Sequence, residues 1–140
     1  EPSPQYKISV DSSAALWIKS GFPKEKLVLG IPFYGYQYQA VKGGQHGLYG
    51  RFEGAKSIPF ERIQKEYLNQ KQYYRYFHDE SKVPWLFNGS VFITYEDTES
   101  IRYKTEYITQ KGLGGAMLWE LSQDPDQILL HAVYQGLAEK

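Results

Sequence analysis

The sequence predicts an α/β fold interrupted by a small α+β unit. Two apolar runs of strand length predict the first part: Lys26-Leu27-Val28-Leu29-Gly30-Ile31-Pro32-Phe33-Tyr34 and Gly114-Gly115-Ala116-Met117-Leu118-Trp119-Glu120-Leu121. Runs this continuous mark strands covered on both faces, as in parallel sheets flanked by helices. The second part rests on a change of texture between the two runs. Residues 36–94 hold a glycine-rich loop, one short helical pattern and a hairpin signal, where a crossover unit would hold a single helix.

Taken in order, residues 1–10 read as a loop, because Pro2 and Pro4 oppose helix there. Asp11 stands where an N-cap is needed, and Ala14, Trp17 and Ile18 follow at helical spacing. Gly21 ends that helix and Pro23 prevents its continuation. In the first apolar run, Pro32 lacks a ladder donor, so pairing should stop near it. Gly43-Gly44-Gln45-His46-Gly47 and Gly50 predict an irregular, mobile loop. Phe60, Ile63, Tyr67 and Leu68 share a helix face, with Pro59 suited to the first helical position. Tyr73–Phe77 and Val83–Phe87 read as strands, and Asn88-Gly89 predicts a two-residue hairpin turn into Ser90–Thr94.

Asp97 predicts the cap of a helix running to about Lys111, with Ile101, Thr105 and Ile108 on one face and Gly112 as its stop. After the second apolar run, Asp124-Pro125 places a cap and an N1 proline before a final helix. Ile128, Leu129, Ala132, Val133 and Leu137 form its apolar stripe. Strand, helix, strand with buried strands implies a right-handed parallel crossover. Two parallel strands do not close a sheet, so their edges and faces call for further strands or a second copy of the chain.

Composition narrows the chemistry. Sixteen basic and sixteen acidic side chains cancel, so no field of one sign favours nucleic acid or a membrane surface. Cysteine is absent, which excludes disulfides and thiol chemistry. The three histidines, His46, His78 and His131, have no metal-ligand spacing, and no metal or other cofactor is expected. Aromatic content reaches 16%, with thirteen Tyr and three Trp. Such rings offer a flat face and a polar edge, matching the C–H face and hydroxyl rim of a sugar; a Tyr-rich core or interface fits the number equally well. The start, Glu1-Pro2-Ser3-Pro4, lacks a signal pattern and reads as the middle of a longer chain.

Three segments together resemble glycoside hydrolase family 18, the chitinase family. Lys26–Gly35 looks like the family's seventh barrel strand. Phe92-Ile93-Thr94-Tyr95-Glu96-Asp97-Thr98-Glu99-Ser100-Ile101 is similar to the Tyr-Asp-Asp stretch leading into its seventh helix. Gly112–Asp124 looks like its eighth strand. The resemblance implies the C-terminal part of a (β/α)8 TIM barrel. Residues 1–35 would carry helix 6 and strand 7, residues 36–94 the α+β chitinase insertion domain, and residues 95–140 helix 7, strand 8 and helix 8. Pro84-Trp85-Leu86-Phe87 is similar to the insertion's Pro-aromatic strand.

The resemblance also implies a chemistry and what is missing from it. The family's acid sits in an Asp-x-x-Asp-x-Asp-x-Glu motif, which this sequence lacks, so no catalytic residue is expected here and the piece alone should be inert. The Met-x-Tyr-Asp segment should lie upstream too, and Tyr6 does not replace its Tyr. Of the other carboxylates, Asp97 and Asp124 read as caps and the rest as solvated loop. Trp119 matches the tryptophan under the sugar being cleaved, although a strand-end Trp also suits a core. Met117, two residues earlier on the same face, matches a pocket-lining position, with a core Met as the competing reading. Tyr34 matches the Tyr of Tyr-Gly-Arg, and Tyr36 stands where that motif has Arg. Tyr36 keeps a donor and a stacking face and loses the guanidinium fork. Tyr49-Gly50-Arg51 repeats the string inside the insertion.

The implied parent is a secreted bacterial hydrolase of β-1,4-linked N-acetylglucosamine polymers, with the substrate's own acetamido group as nucleophile. Three alternatives remain: a chitinase-like lectin, a glucosaminidase of peptidoglycan or spore cortex, and a free-standing carbohydrate-binding module made only of this piece, which would leave the two barrel strands uncovered. The expected partner is chitin or a chitooligosaccharide.

Overall fold

In the computed structural model, which describes residues 8–70 and 72–138, the strands fall into two sheets. Pro2, Pro4 and Tyr6 lie outside the described residues. A parallel pair joins β1 (Val28–Pro32) to β7 (Gly115–Trp119), in register from Val28 with Gly115 to Pro32 with Trp119. A five-stranded antiparallel sheet has the order β3-β2-β6-β5-β4, built from β2 (Tyr34–Gln39), β3 (Gly54–Pro59), β4 (Tyr74–His78), β5 (Val83–Phe87) and β6 (Phe92–Thr94). The helices are α1 (Val10–Lys19), α2 (Phe60–Glu66), α3 (Thr98–Lys111) and α4 (Ile128–Ala138). None is long and apolar enough to cross a membrane.

The caps show where local rules were followed and where they were displaced. Ser9, not Asp11, caps α1: its hydroxyl accepts from the Ser12 N–H at 3.1 Å, and Ser12 returns the bond to the Ser9 N–H. Asp11 lies in the first turn and accepts instead from the Tyr107 hydroxyl at 2.9 Å, tying α1 to α3. Burial, then that bond to Asp11, pushes the Tyr107 hydroxyl up to about 12. Asp97 caps α3 in a box with Ser100, and Gly112 ends it in the left-handed conformation. Pro59 sits at the cap of α2 rather than inside its first turn.

Asp124 caps α4 from a distance. Pro125 is not the first helical residue: a turn over residues 125–127, with Gln127 at φ 57°, intervenes. This turn lets the Asp124 carboxylate accept from three successive amides, Ile128, Leu129 and Leu130, at 2.9–3.0 Å. The Asn88-Gly89 turn is likewise longer than expected. Phe87 pairs with Phe92, so four residues connect the strands, and Asn88 Oδ1 accepts from the Ser90 and Val91 amides.

One core runs through both sheets. Ile31 and Phe33 meet Ile101, Leu129 and Val133 on one side and Ile58, Phe60, Ile63, Leu86 and Ile93 on the other. Each such side chain contributes about 1.5–3 kcal/mol by leaving water. The apolar strand runs are not covered on both faces. Ile31 is buried, with Ala116 and Leu118 packed against the core, but their neighbours in the other parity, Val28, Met117 and Trp119, are 49%, 49% and 60% exposed. No described element packs over that face.

Residues 40–53 form a strap across the outer face of the five-stranded sheet, and the expected mobile loop is pinned there. The Trp85 indole N–H donates to the His46 carbonyl at 3.1 Å, and the His46 ring stacks on Tyr76 with centroids 4.2 Å apart. Gly47 has φ 80°, and a Cβ there would meet the Phe87 ring at 2.7 Å.

Candidate functional site

The site begins where β1 hands over to β2. Only Phe33 separates the two strands; it is fully buried, and its N–H donates to the Trp119 carbonyl at 2.6 Å. One residue thus belongs to the core while its neighbours open outward. Pro32 is the register partner of Trp119, and Tyr34 starts the antiparallel sheet. The Trp119–Glu120 peptide is cis.

Met117 and Trp119 share one face of β7 by strand alternation. Gly30 lies opposite Met117, and a Cβ at Gly30 would come within 3.4 Å of the Met117 methyl. On β2, Tyr34, Tyr36 and Tyr38 share the outer face. Their rings form a ladder, with centroids 5.9 Å and 6.3 Å apart, and Phe52 of the strap closes it at 4.8 Å from Tyr38. Burial, then Tyr36, raises the Tyr38 hydroxyl above the ordinary phenol range. Gly35 between the first two rings is required by space, since any Cβ would strike the Thr94 carbonyl on β6.

A cleft of about 470 Å³ opens beside this ladder, between β2, the β5–β6 pair and the strap. Pro32, Tyr34, Tyr36, Tyr49, Trp85 and Glu96 are among its walls. Tyr36 is 43% exposed and held from behind, its N–H donating to Thr94 Oγ1 at 3.1 Å. The structure therefore brings Tyr34 and Tyr36 together. Trp119 and Met117 are not cleft walls; they stand beside it on the open face of the parallel pair, linked to it through Pro32. A larger cleft of about 680 Å³ lies between α3 and α4, near Arg102 and His131. It has no Tyr or Trp wall, so the aromatic cleft is the better match to a sugar.

Glu96 was expected in a solvated loop and is instead buried. Its carboxylate accepts from the Ser100 hydroxyl at 2.7 Å and is in contact with the Lys104 ammonium. Glu99, also expected free, pairs with Arg75 at 2.7 Å, and Arg75 reaches Asp97 at the same distance. The helical offset of Lys104 from Glu96 was the one signal available, and it is weak because a charge eight residues away has many other positions. Neighbouring Tyr95 is buried, which together with Asp97 drives its hydroxyl well above the usual phenol range. Strand β2 and strand β3 were also missed, although alternation of Tyr34, Tyr36 and Tyr38 is a period-two signal.

Comparison with known proteins places this geometry. The sequence model of the glycosyl hydrolases family 18 matches residues 1–124. Chitinase A1 of Niallia circulans is 44% identical over 134 residues, covering 86% of this chain and 19% of that protein. A family 18 N-acetylglucosaminidase from Paenibacillus barengoltzii superposes with a TM-score of 0.89 at 41% identity, over 94% of this chain and 40% of that one. Chitinase ChiW from Paenibacillus sp. str. FPU-7, described as cell-surface-expressed, gives 0.92 at 39% identity, over 100% and 17%. A class V chitinase from Nicotiana tobaccum in complex with NAG4 gives 0.83 at 26% identity, over 97% and 41%. The chain spans less than half the length of each of these proteins. With most of its length matched by the family and its sheets superposing on solved members, the chain belongs to the glycosyl hydrolases family 18.

Proposed function

We propose that this chain is the C-terminal section of the barrel of an exported family 18 hydrolase that cleaves β-1,4-linked N-acetylglucosamine polymers, with residues 36–94 as its insertion domain. The observation that carries the reading is the position of Trp119. It ends a parallel strand, exposes 60% of its surface, and is the register partner of a proline that walls the tyrosine cleft. Strand ends of this kind are where α/β barrels build their sites.

In this reading Trp119 is the floor under the reacting sugar. An indole stacks on the C–H face of a pyranose and lets the ring flex while the acetamido oxygen approaches the anomeric carbon. Met117 extends the floor, and Tyr34 and Tyr36 hold the neighbouring unit from the side. The proton donor belongs to the part of the parent protein outside this chain. Glu96 does not take that role, because Ser100 and Lys104 already engage both carboxylate oxygens.

The 41% identity to an N-acetylglucosaminidase supports removal of single sugars as a second reading within the same chemistry. A lectin without turnover is the reading in a different class. The test is product release from chitin oligosaccharides by the full-length protein carrying this chain, with Trp119→Ala beside it. We expect wild-type turnover and a loss of roughly 100-fold or more in kcat for the variant, the scale of a removed transition-state contact. Binding without product would leave the lectin. An unchanged rate in the variant would return Trp119 to a structural role.

A further inference from the structure

The tyrosine cleft takes its walls from separate parts of the chain. His78, Val83 and Trp85 belong to the β4–β5 hairpin, and Pro32 and Tyr34 to the β1–β2 junction. Tyr95 and Glu96 stand on the segment that enters α3. Within its own sheet the hairpin has a short attachment. β4 is the edge strand, and β5 pairs with β6 only from Trp85 with Thr94 to Phe87 with Phe92. A two-stranded hairpin is marginal on its own, so a second attachment bears on how far this one stands from the opposite wall.

That second attachment is to α3. Arg75 on β4 donates from Nε and Nη2 to Asp97 Oδ2 at 2.9 and 2.7 Å, and from Nη2 to Glu99 at 2.7 Å. Asp97 divides its oxygens, with Oδ1 accepting the Ser100 N–H in the cap while Oδ2 holds Arg75. Phe77 lies under the guanidinium and is 6.1 Å from the Tyr103 ring of α3, and the Lys82 ammonium sits 4.8 Å from the centre of that ring. Asp97 directly follows Tyr95 and Glu96, so Arg75 pulls on the residue next to the cleft wall. The side chains of Arg75, Asp97 and Glu99 are 38%, 18% and 42% exposed, which leaves the ion pairs open to screening by salt.

We propose that Arg75, Asp97 and Glu99 form an ionic latch that sets the width of the tyrosine cleft, with Arg75 as a positioning residue for the bound sugar chain. Arg75 is not itself a cleft wall, so it acts through the hairpin and through the segment from Tyr95 to Asp97. The inference rests on the glycan-hydrolase reading above for what fills the cleft, and on the ion pairs alone for the latch.

The test uses the full-length protein carrying this chain. Spin labels at Asp79→Cys, on the hairpin turn, and Gln110→Cys, near the end of α3, report the hairpin relative to the helix. Wild type should give one narrow distance distribution at low salt, and Arg75→Gln a broader one extending to longer distances. With chitin oligosaccharides, Arg75→Gln should raise KM about fivefold, the scale of one partly screened ion pair, with kcat within about twofold of wild type. Glu99→Gln, which spares the cap of α3, should move distance and KM the same way by a smaller step. Arg75→Lys keeps the charge without the fork and should fall between wild type and Arg75→Gln. Raising salt from about 0.05 M to about 0.5 M should move wild type toward Arg75→Gln and leave that variant nearly unchanged. Unchanged distances in the variants, or a lower melting temperature with no change in KM, would overturn the proposal and leave Arg75 a stabilising residue only. Should Arg75→Gln fail to fold, Glu99→Gln and the wild-type salt series decide the matter. The distances need no sugar, so a latch that loosens in a protein without turnover would remove the hydrolase reading and keep the latch.

Discussion

Phe33 and Trp119 are joined through their backbones: the Phe33 amide donates to the Trp119 carbonyl at 2.6 Å just as the chain leaves β1 for β2. This bond ties the end of the parallel pair to the start of the antiparallel sheet. It fixes the exposed indole relative to the tyrosine ladder while the Phe33 ring anchors both in the core. Removing the indole should therefore affect turnover with little effect on folding, so Trp119→Ala is expected to leave the unfolding midpoint of the parent protein near that of wild type.

Gly35 should tolerate no side chain. Its Cβ would strike the Thr94 carbonyl and press on the Ile63 methyl at 2.9 Å. Backbone on one side cannot yield as a flexible side chain would, so Gly35→Ala is expected to cost about 2–3 kcal/mol or more. Urea unfolding followed by fluorescence checks this. A loss under about 0.5 kcal/mol, the size of an ordinary surface change, would show that β2 and β6 can part freely.

Asp124 satisfies three orphan amides of α4 at once. Asp124→Ala should destabilise by about 1–3 kcal/mol, at or above the usual range for a cap because one buried side chain serves three amides. Hydrogen exchange should localise the effect to the amides of Ile128, Leu129 and Leu130. Uniform loss of protection across the chain would argue that α4 has no separate opening.

Lys104 and Glu96 form a pair whose side chains are 17% and 8% exposed. Lys104→Met leaves Glu96 buried with only Ser100, and should cost about 3–5 kcal/mol. Adding Glu96→Gln should recover much of that loss, because the uncompensated charge is gone. A double variant no better than the single one would mean that packing of the lysine stem, and not charge, dominates.

Produced alone, the chain should self-associate through the open face of Val28, Met117 and Trp119. Contiguous apolar surface left bare on a small domain is usually covered by another surface. Light scattering across a concentration series should show mass rising above 16.2 kDa. A monomer at all concentrations would refute it.

The sequence determined the local architecture wherever one segment carried its own instructions. Asp97, Gly112 and the stripe of Ile101, Thr105 and Ile108 predict α3 nearly to the residue, because caps and periodicity act within a few turns. The apolar runs predict β1 and β7, and the three motifs in order predict the family. What the tertiary structure decided lies between segments. Ser9 caps α1 through a local box with Ser12, whereas the partner of Asp11, Tyr107, lies ninety-six residues away. The strap of residues 40–53 is ordered by rings of β4 and β5, which no local pattern announces. Glu96 became a buried pair only because α3 presents Lys104 to it, and the cleft exists only because β2, the β5–β6 pair and the strap converge. Short-range rules fix elements through backbone geometry, whereas charge partners and cavities depend on which elements meet, and that is settled by packing alone.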